Sequence, residues 1–323
     1  MKMNLEKLKN TVLKGGQISR QDAIDLYNED YDELRAAAEE IRKHFCQDQF
    51  DMCTIINAKS GHCPENCKFC AQSAHNHAKV DVYSLLDKDT IVNDAIEKYR
   101  RGVPRYSLVS SGKSLTEKDI DKVCEIVKAI HEIEPGVKVC LSGGLISAEG
   151  FKKLKAAGVI RVHNNLESSE NFFKEICTSH SFDQKIQAIK NAKEAGMEVC
   201  SGGIIGLGEG IEDRVDMFIS LRDLNVASIP VNVLNPIKGT PLENNKILDQ
   251  EEINRTIAIC RFINPKAAIR LAGGRANMEE LGKSCFRSGA NAAITGDMLT
   301  TYGARLEDDM EMVKKMDYHI CAM

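Results

Sequence analysis

The chain has 323 residues, 43% of them apolar, and a formal net charge of −4, so it can bury a large core and carries little excess charge. Lysine and arginine are dispersed along the chain, a pattern that does not indicate binding to nucleic acid or to a membrane surface. Residues 1–20 place lysines among isolated apolar residues, which excludes an apolar run of signal-peptide or transmembrane length there. We therefore expect a cytoplasmic protein.

Residues 1–50 have helical periodicity. Leu34, Ala38, Ile41 and Phe45 fall on one face of a helix whose other positions are mostly charged. This segment is predicted to form an N-terminal helical cap.

Beyond residue 50, short apolar runs alternate with amphipathic segments. Eight runs are strand candidates: Cys53–Asn57, Tyr106–Ser110, Val137–Leu141, Val159–His163, Glu198–Ser201, Ser228–Val233, Ala268–Leu271 and Asn291–Thr295. Helix candidates lie between or beside them, several followed by glycine: Asp119–Ile133, Ala148–Ala157, Asp183–Ala195, Asp213–Leu224, Gln250–Phe262 and Met278–Ser288.

This alternation is typical of a parallel sheet with helical crossovers. Eight units without a flexible linker favour an α/β fold, a (β/α)8 TIM-type barrel over 51–300 with an N-terminal helical extension, and 301–323 as a C-terminal tail. The whole is predicted to be a single functional domain. A doubly wound open sheet is the alternative. In a barrel, the chemistry is expected at the carboxyl ends of the strands.

Twelve cysteines are present, and in a reducing compartment they are not expected to form structural disulfides. Taken singly, each is as readily a small buried hydrophobic residue as a ligand, so spacing has to decide. Residues 63–70, directly after the first predicted strand, read CPENCKFC. Structural zinc sites and ferredoxin-type clusters use four ligands, whereas this C-x3-C-x2-C run offers three thiolates.

Three cysteines on a four-iron cluster leave one iron open to chelate S-adenosylmethionine, whose reductive cleavage yields a 5′-deoxyadenosyl radical. The spacing identifies the chain as a member of the radical S-adenosylmethionine superfamily, in which Phe69 corresponds to an aromatic residue near adenine. Gly202 and Gly203, in the glycine-rich run after the fifth predicted strand, are expected to let the backbone approach the cofactor, although ordinary turn geometry also explains such glycines.

From Asn57 to about Thr301 the sequence resembles the biotin synthase family. The resemblance lies in AKSG at 58–61, the cysteine run at 63–70, NNLE at 164–167, VCSGGIIGLGE at 199–209, PVN at 230–232, KGTP at 238–241 and IRLAGGR at 269–275. It implies a sulfurtransferase that inserts sulfur into dethiobiotin, with S-adenosylmethionine cleaved in each of two radical abstractions. Unactivated C–H bonds are beyond any side-chain base, which explains the need for a radical cofactor.

The resemblance also implies residue roles. It gives the catalytic 4Fe-4S cluster to the three cysteines of the run, which are Cys63, Cys67 and Cys70. Asn165 and Asn232 correspond to contacts with dethiobiotin and the cofactor, and Glu167 to a carboxylate that holds the ribose hydroxyls. Without the resemblance, these polar residues would be interpreted as caps or solvated side chains.

The family has a second, auxiliary iron-sulfur cluster, 2Fe-2S, which donates the sulfur. Cys140, Cys200 and Arg270 match three of its ligands, but Ser107 stands where the remaining cysteine is expected. We predict that Cys53 on the neighbouring strand replaces it, since a serine oxygen is a harder ligand that deprotonates less readily. The alternatives are that Cys53 is an inert core residue and the second cluster is held incompletely or is absent, that Arg270 is only a counter-charge, and that the nuclearity of the cluster differs.

Other departures and partners follow from the resemblance. His163 and His180 stand where the family more often has Asn and Arg. A flavodoxin or ferredoxin-type reductant and a homodimer are implied. Two other functions remain open, namely a related radical enzyme of the hydrogenase-cofactor maturase kind, and a non-catalytic iron-sulfur or zinc protein that carries electrons or acts as a scaffold.

Overall fold

Eight parallel strand positions close into a barrel in the computed structural model, which describes residues 5–296, 298–299 and 303–323. The strands are β1 (Gln49–Lys59), β2 (Arg105–Ser110), β3 (Lys138–Ser142), β4 (Arg161–His163), β5 (Glu198–Cys200), β6 (Gly203–Ile205), β7 (Ser228–Val233), β8 (Ala268–Leu271) and β9 (Ala292–Thr295). β5 and β6 both pair with β7 and share one barrel position.

The sheet closes because β9 pairs with β1, with Cys53 opposite Ile294. Closure confirms the (β/α)8 barrel and rules out the open doubly wound sheet. All eight predicted strands are present, and all of them belong to one sheet. β6 was not predicted, since its three residues belong to the glycine-rich run.

Helices cover the outside of the barrel. They are α1 (Leu5–Leu13), α2 (Arg20–Asp25), α3 (Tyr31–Cys46), α4 (Lys88–Arg100), α5 (Glu117–Ile133), α6 (Ala148–Ala157), α7 (Glu170–Ile176), α8 (Phe182–Glu194), α9 (Ile211–Asp223), α10 (Gln250–Ile263) and α11 (Leu306–Lys315). Many start at an Asp, Ser or Thr whose side chain accepts from a first-turn amide, as Asp87 does for α4 and Thr116 for α5. No helix in the described ranges is both long and apolar enough to cross a membrane.

The N-terminal segment is helical as predicted. Leu34, Ala38 and Ile41 of α3 are buried and Phe45 is half-buried, so the predicted face is the packed one, and α3 lies against α10. A 3-10 turn, Leu26–Asn28, joins α2 to the segment before α3.

The helix predicted over Met278–Ser288 is wrong. The chain forms a short 3-10 turn at Arg275–Asn277 and a kinked 3-10 segment at Glu279–Arg287. The backbone of Glu280, Leu281 and Gly282 has positive φ, and the Leu281 carbonyl accepts from the Arg275 guanidinium at 3.1 Å. Three successive residues with positive φ cannot continue a right-handed helix.

The segment predicted as a tail contains α11 and a further strand, β10 (His319–Cys321). β10 pairs in parallel with the first residues of β1, with Cys321 opposite Asp51. Residues 319–323 therefore lie under the amino-terminal end of the barrel. Arg105 donates to the Met323 main-chain oxygen at 2.8 Å, and Arg161 donates to the same oxygen.

Candidate active site

One cavity of about 410 Å3 runs from the carboxyl ends of the strands into the barrel. Its mouth is formed by the loop after β1, through Cys63, Phe69 and Cys70. Asn165, Glu167 and Asn232 line it near the strand ends, and Cys53, Cys140, Cys200 and Arg270 line it deeper in the barrel. Residues dispersed over more than 200 positions of sequence therefore face one space.

The loop at the mouth is held in shape by its own main chain. The Cys63 amide donates to Gln72 at 3.1 Å, and the Cys63 carbonyl accepts from Ala74 at 2.8 Å. The Asn76 side chain donates to the carbonyls of both Cys67 and Cys70. These bonds fix the turn on which the three half-buried cysteines lie.

The three thiols do not all face the cavity. Cys63 and Cys70 line it, and burial raises the pKa of Cys70 to about 11. The Cys67 sulfur instead lies 3.7 Å from the sulfur of Cys177, to which it donates a hydrogen bond. That bond and burial raise the pKa of Cys67, and the same bond lowers the pKa of Cys177.

Glu167 lies after β4, beside the mouth. Its backbone has a φ of 71°, which is uncommon for a residue other than glycine and is favoured at functional sites. It is held there by a short parallel bridge, in which its amide donates to Gly202 and its carbonyl accepts from Ile204. Burial raises the pKa of the Glu167 carboxyl, whose Oε2 accepts from the Asn165 amide at 3.3 Å.

Gly202 and Gly203 are glycines for reasons of packing. A Cβ on Gly202 would lie 1.9 Å from the Pro230 carbonyl oxygen, and one on Gly203 would lie 2.3 Å from the Met217 sulfur. The Gly202 amide donates to Asn165 Oδ1 at 3.1 Å, so it already has a partner. The cofactor contact predicted for these glycines stays a prediction.

Asn232, on β7, bridges two neighbouring strand ends across the mouth. Its amide nitrogen donates to the Gly203 carbonyl at 3.0 Å, and its oxygen accepts from Gly273 at 2.8 Å. Each amide group still has one donor or acceptor site left for a ligand. Asn165 and Asn232 are thus fixed in orientation, as substrate-positioning groups need to be.

At the base of the cavity lies a charged cluster that the sequence analysis did not identify. The fully buried Asp51 carboxylate lies 3.1 Å from Arg105, 2.9 Å from Arg161 and 3.0 Å from Arg270. Burial alone would raise the pKa of Asp51, but the three guanidinium groups outweigh it and lower that pKa. Charged residues inside otherwise apolar strands were the available signal.

The three deep cysteines lie against this cluster. Arg105 donates to the Cys140 sulfur at 3.7 Å, and the His163 ring nitrogen lies 3.5 Å from the Cys200 sulfur. Burial raises the pKa of Cys140, and that of Cys53 to about 12. Burial also acts on Cys200, but the contact with His163 and the nearby arginines lower its pKa to about 6.

Ser107 and Cys53 both line the cavity. Ser107 is in register with Cys140 on β3, whereas Cys53 is in register with Arg105, two residues nearer the base. The two thus lie on adjacent strands at different depths. The structure brings Cys53 to the same space as Cys140 and Cys200, which is what its predicted role requires.

Two family models match the chain. The radical S-adenosylmethionine superfamily matches residues 58–221, and the biotin and thiamin synthesis associated domain matches residues 230–319. A biotin synthase of Brachyspira hyodysenteriae is 53% identical over 98% of this chain and 95% of its own. The chain belongs to the biotin synthase family. A biotin synthase of Clostridium botulinum is 50% identical over 98% of this chain and 99% of its own.

Solved structures share the fold of this biotin synthase family member at low identity. Methylornithine synthase superposes with a TM-score of 0.83 at 20% identity, over 97% of each chain. The [FeFe]-hydrogenase maturase HydG of Carboxydothermus hydrogenoformans gives 0.81 at 16%, over 98% of this chain and 79% of its own. These likenesses show the barrel fold alone.

Proposed function

We propose that the chain inserts sulfur into dethiobiotin, using S-adenosylmethionine, a four-iron cluster and an auxiliary iron-sulfur cluster that is consumed as sulfur donor. The observation that carries the proposal is the single cavity, since it connects Cys63 and Cys70 at the mouth with Cys53, Cys140 and Cys200 inside the barrel. Membership of the family supports the reaction, and the radical superfamily match supports the four-iron cluster and S-adenosylmethionine.

The residues at the mouth suit these cofactors chemically. Cys63, Cys67 and Cys70 offer soft thiolate donors of the kind that iron-sulfur clusters use, and Cys67 would have to turn from Cys177 to join the other two. When bound, the cluster and S-adenosylmethionine supply a one-electron route to an organic radical that side chains cannot provide. Ser110 Oγ lies buried on the cavity wall without a hydrogen-bond partner among the described residues, as expected for a site that takes a polar ligand.

Protein side chains would bind and orient the substrate. Asn165 and Asn232 have amide groups fixed by backbone bonds, and each has capacity left for a polar, ureido-like ring. Glu167 would accept from ribose hydroxyls, in a position that its main-chain hydrogen bonds to Gly202 and Ile204 hold. Such fixed groups orient two reactants and so lower the entropic part of the barrier.

The auxiliary cluster would be held by Cys53, Cys140 and Cys200, with Arg270 beside them. Around this place three buried guanidinium groups meet two carboxylates, those of Asp51 and Glu198. Buried charge without compensation is costly, so anionic thiolates and sulfide would be stabilised here. Arg270 Nη1 donates to main-chain oxygens of Asp51 and Ala293, whereas Nη2, 3.0 Å from the Asp51 carboxylate, has no hydrogen-bond partner among the described residues. Arg270 is thus placed to act as a counter-charge, and Nη2 is the nitrogen that could reach the cluster.

A comparison of cysteine variants tests this ligand set. Cys53→Ser should lose the auxiliary iron and sulfide and form no biotin, whereas Cys124→Ser, a half-buried helix cysteine, should retain both. The assay is anaerobic reconstitution, followed by iron and sulfide counts and biotin quantification. Equal retention in the two variants would discard the role of Cys53.

Addition of S-adenosylmethionine and a reductant to the reconstituted chain, with 5′-deoxyadenosine measured, separates the reaction classes. Formation of 5′-deoxyadenosine that depends on dethiobiotin supports the proposal, and formation that is independent of dethiobiotin supports a maturase-like enzyme. Absence of 5′-deoxyadenosine supports a non-catalytic protein. The proposal extends to a flavodoxin or ferredoxin-type electron donor in the cytoplasm and to a homodimer, which sedimentation of the reconstituted protein would test.

A further inference from the structure

A second group of metal-ligating side chains lies behind the loop of the three cysteines. Cys67, Cys177 and His180 bring two sulfurs and a ring nitrogen within 4.8 Å of one another. Cys177 and His180 come from the connection between α7 and α8, 110 residues or more from Cys67 in sequence. Within the described ranges this is the one group of three or more such ligands.

The separations in this group match those around a small tetrahedral cation. The sulfurs of Cys67 and Cys177 are 3.7 Å apart, and tetrahedral geometry with zinc-sulfur bonds of 2.3 Å gives about 3.8 Å. His180 Nε2 lies 3.8 Å from the Cys177 sulfur, where the same geometry gives about 3.6 Å. The third separation, between the Cys67 sulfur and a His180 ring nitrogen, is within 4.8 Å.

The histidine has the outer partner that metal-bound histidines have. His180 Nδ1 is hydrogen-bonded to the buried carboxylate of Glu65, which leaves Nε2 for a cation. The Ser179 hydroxyl donates to the same carboxylate at 2.8 Å, and the Phe173 ring packs edge-on against the imidazole. Ring orientation is therefore fixed before any ion arrives.

The connection that carries Cys177 and His180 is tied to the cysteine loop by bonds that need no metal. Asn66 Oδ1 accepts from the amides of Thr178 at 3.0 Å and Ser179 at 3.1 Å. The Lys68 amide donates to the Ile176 carbonyl at 2.9 Å. This bracing keeps the three ligands adjacent in the cluster-free chain.

We propose that the cluster-free chain binds one divalent transition-metal ion of zinc or ferrous type through Cys67, Cys177 and His180. Binding displaces the proton of the Cys67 thiol, and that of Cys177 in so far as it is protonated, into solvent, and it changes no oxidation state. Two thiolates balance the charge of the divalent ion, the neutral imidazole is the third ligand, and a fourth position is left for water. A cation here excludes a four-iron cluster, because both need Cys67; only this exclusion rests on the proposed function.

Cobalt(II) titration of the metal-free chain under anaerobic conditions tests the site. We expect one ion per chain, with the thiolate-to-cobalt absorption and the intense visible bands of a tetrahedral complex. Cys177→Ser and His180→Ala should each weaken binding at least about tenfold, whereas Cys124→Ser and Cys63→Ser should leave it unchanged. Competition with zinc and with ferrous ion then gives the affinity for each.

Two results would overturn the site. One is a Cys177→Ser variant that binds cobalt like Cys124→Ser, and the other is a Cys63→Ser variant weakened as much as Cys67→Ser, which would place the ion on the cysteine run. The exclusion has its own test, because zinc-loaded protein should assemble the cluster more slowly than zinc-treated Cys177→Ser. Equal rates would refute it. None of these readouts uses dethiobiotin, so they remain valid if the proposed reaction is wrong.

Discussion

Replacing Asp51 with Asn should strongly destabilise the barrel. The carboxylate is fully buried and lies within 3.1 Å of three guanidinium groups. The substitution leaves Arg161 paired with Glu198, and leaves Arg105 and Arg270 without a carboxylate partner among the described residues. The new Asn side chain also directs its N–H donors toward the N–H donors of the arginines. Removal of one partner of a buried ion pair costs about 3–5 kcal/mol, and we expect a loss in that range for Asp51→Asn.

The assay is urea unfolding of the cluster-free chain, with Asp317→Asn as the matched control. Asp317 is exposed and has a φ of 58°, a conformation that Asn tolerates, so its substitution should change the free energy of unfolding by less than about 0.5 kcal/mol. A change of under 1 kcal/mol for Asp51→Asn would refute the reasoning.

The pH dependence gives a second check on the same residue. The arginines lower the pKa of Asp51 in the folded chain, so its contribution to stability is present above the unfolded pKa of about 4 and is lost as the pH falls through the folded pKa. The difference between the wild-type chain and Asp51→Asn should therefore shrink in acid. A difference that stays constant from neutral pH into the acid transition would contradict the assignment of the shift to this carboxyl.

Three further predictions concern the cavity. Cleavage of S-adenosylmethionine should be lost, with circular dichroism unchanged, in Cys63→Ala, Cys67→Ala and Cys70→Ala; full cleavage in any one excludes that cysteine as a ligand. Asn165→Ala and Asn232→Ala should weaken dethiobiotin or cofactor binding by about 1–3 kcal/mol in calorimetry, and unchanged affinities for both ligands would remove them from the site. His163→Asn should raise the pKa of Cys200 from about 6 in the cluster-free chain, measured by thiolate absorbance; an unchanged titration would refute the role of His163.

Short apolar runs that alternate with amphipathic segments predicted most of the fold, and the cysteine spacing predicted the loop that forms the mouth of the cavity. The strands are short buried runs whose apolar character is local, and the cysteine run is contiguous in sequence. β10 was missed because it has only three residues, which follow a polar helix and form a strand only by pairing with the first residues of β1. The kink at Glu280 and Leu281 was missed because positive φ is uncommon for residues other than glycine, and no pattern in the sequence marks it there.

The base of the cavity and the group at Cys177 could not be predicted, because their residues are distant in sequence and meet only in the folded chain. Asp51 and its three arginines come from four strands, and nothing in the order of the chain shows that they meet. The division into a cap, a barrel and a tail stays a proposal, as do the individual roles of the cavity residues.

Single-turnover sulfur transfer tests the central claim most directly. The chain is reconstituted anaerobically with iron and isotopically heavy sulfide, freed of excess sulfide, and given dethiobiotin, S-adenosylmethionine and a reductant. Our account predicts biotin that carries the heavy sulfur, with matching loss of auxiliary-cluster sulfide, and no such product from Cys140→Ser or Cys200→Ser. Formation of 5′-deoxyadenosine without labelled biotin in the wild-type chain would contradict it.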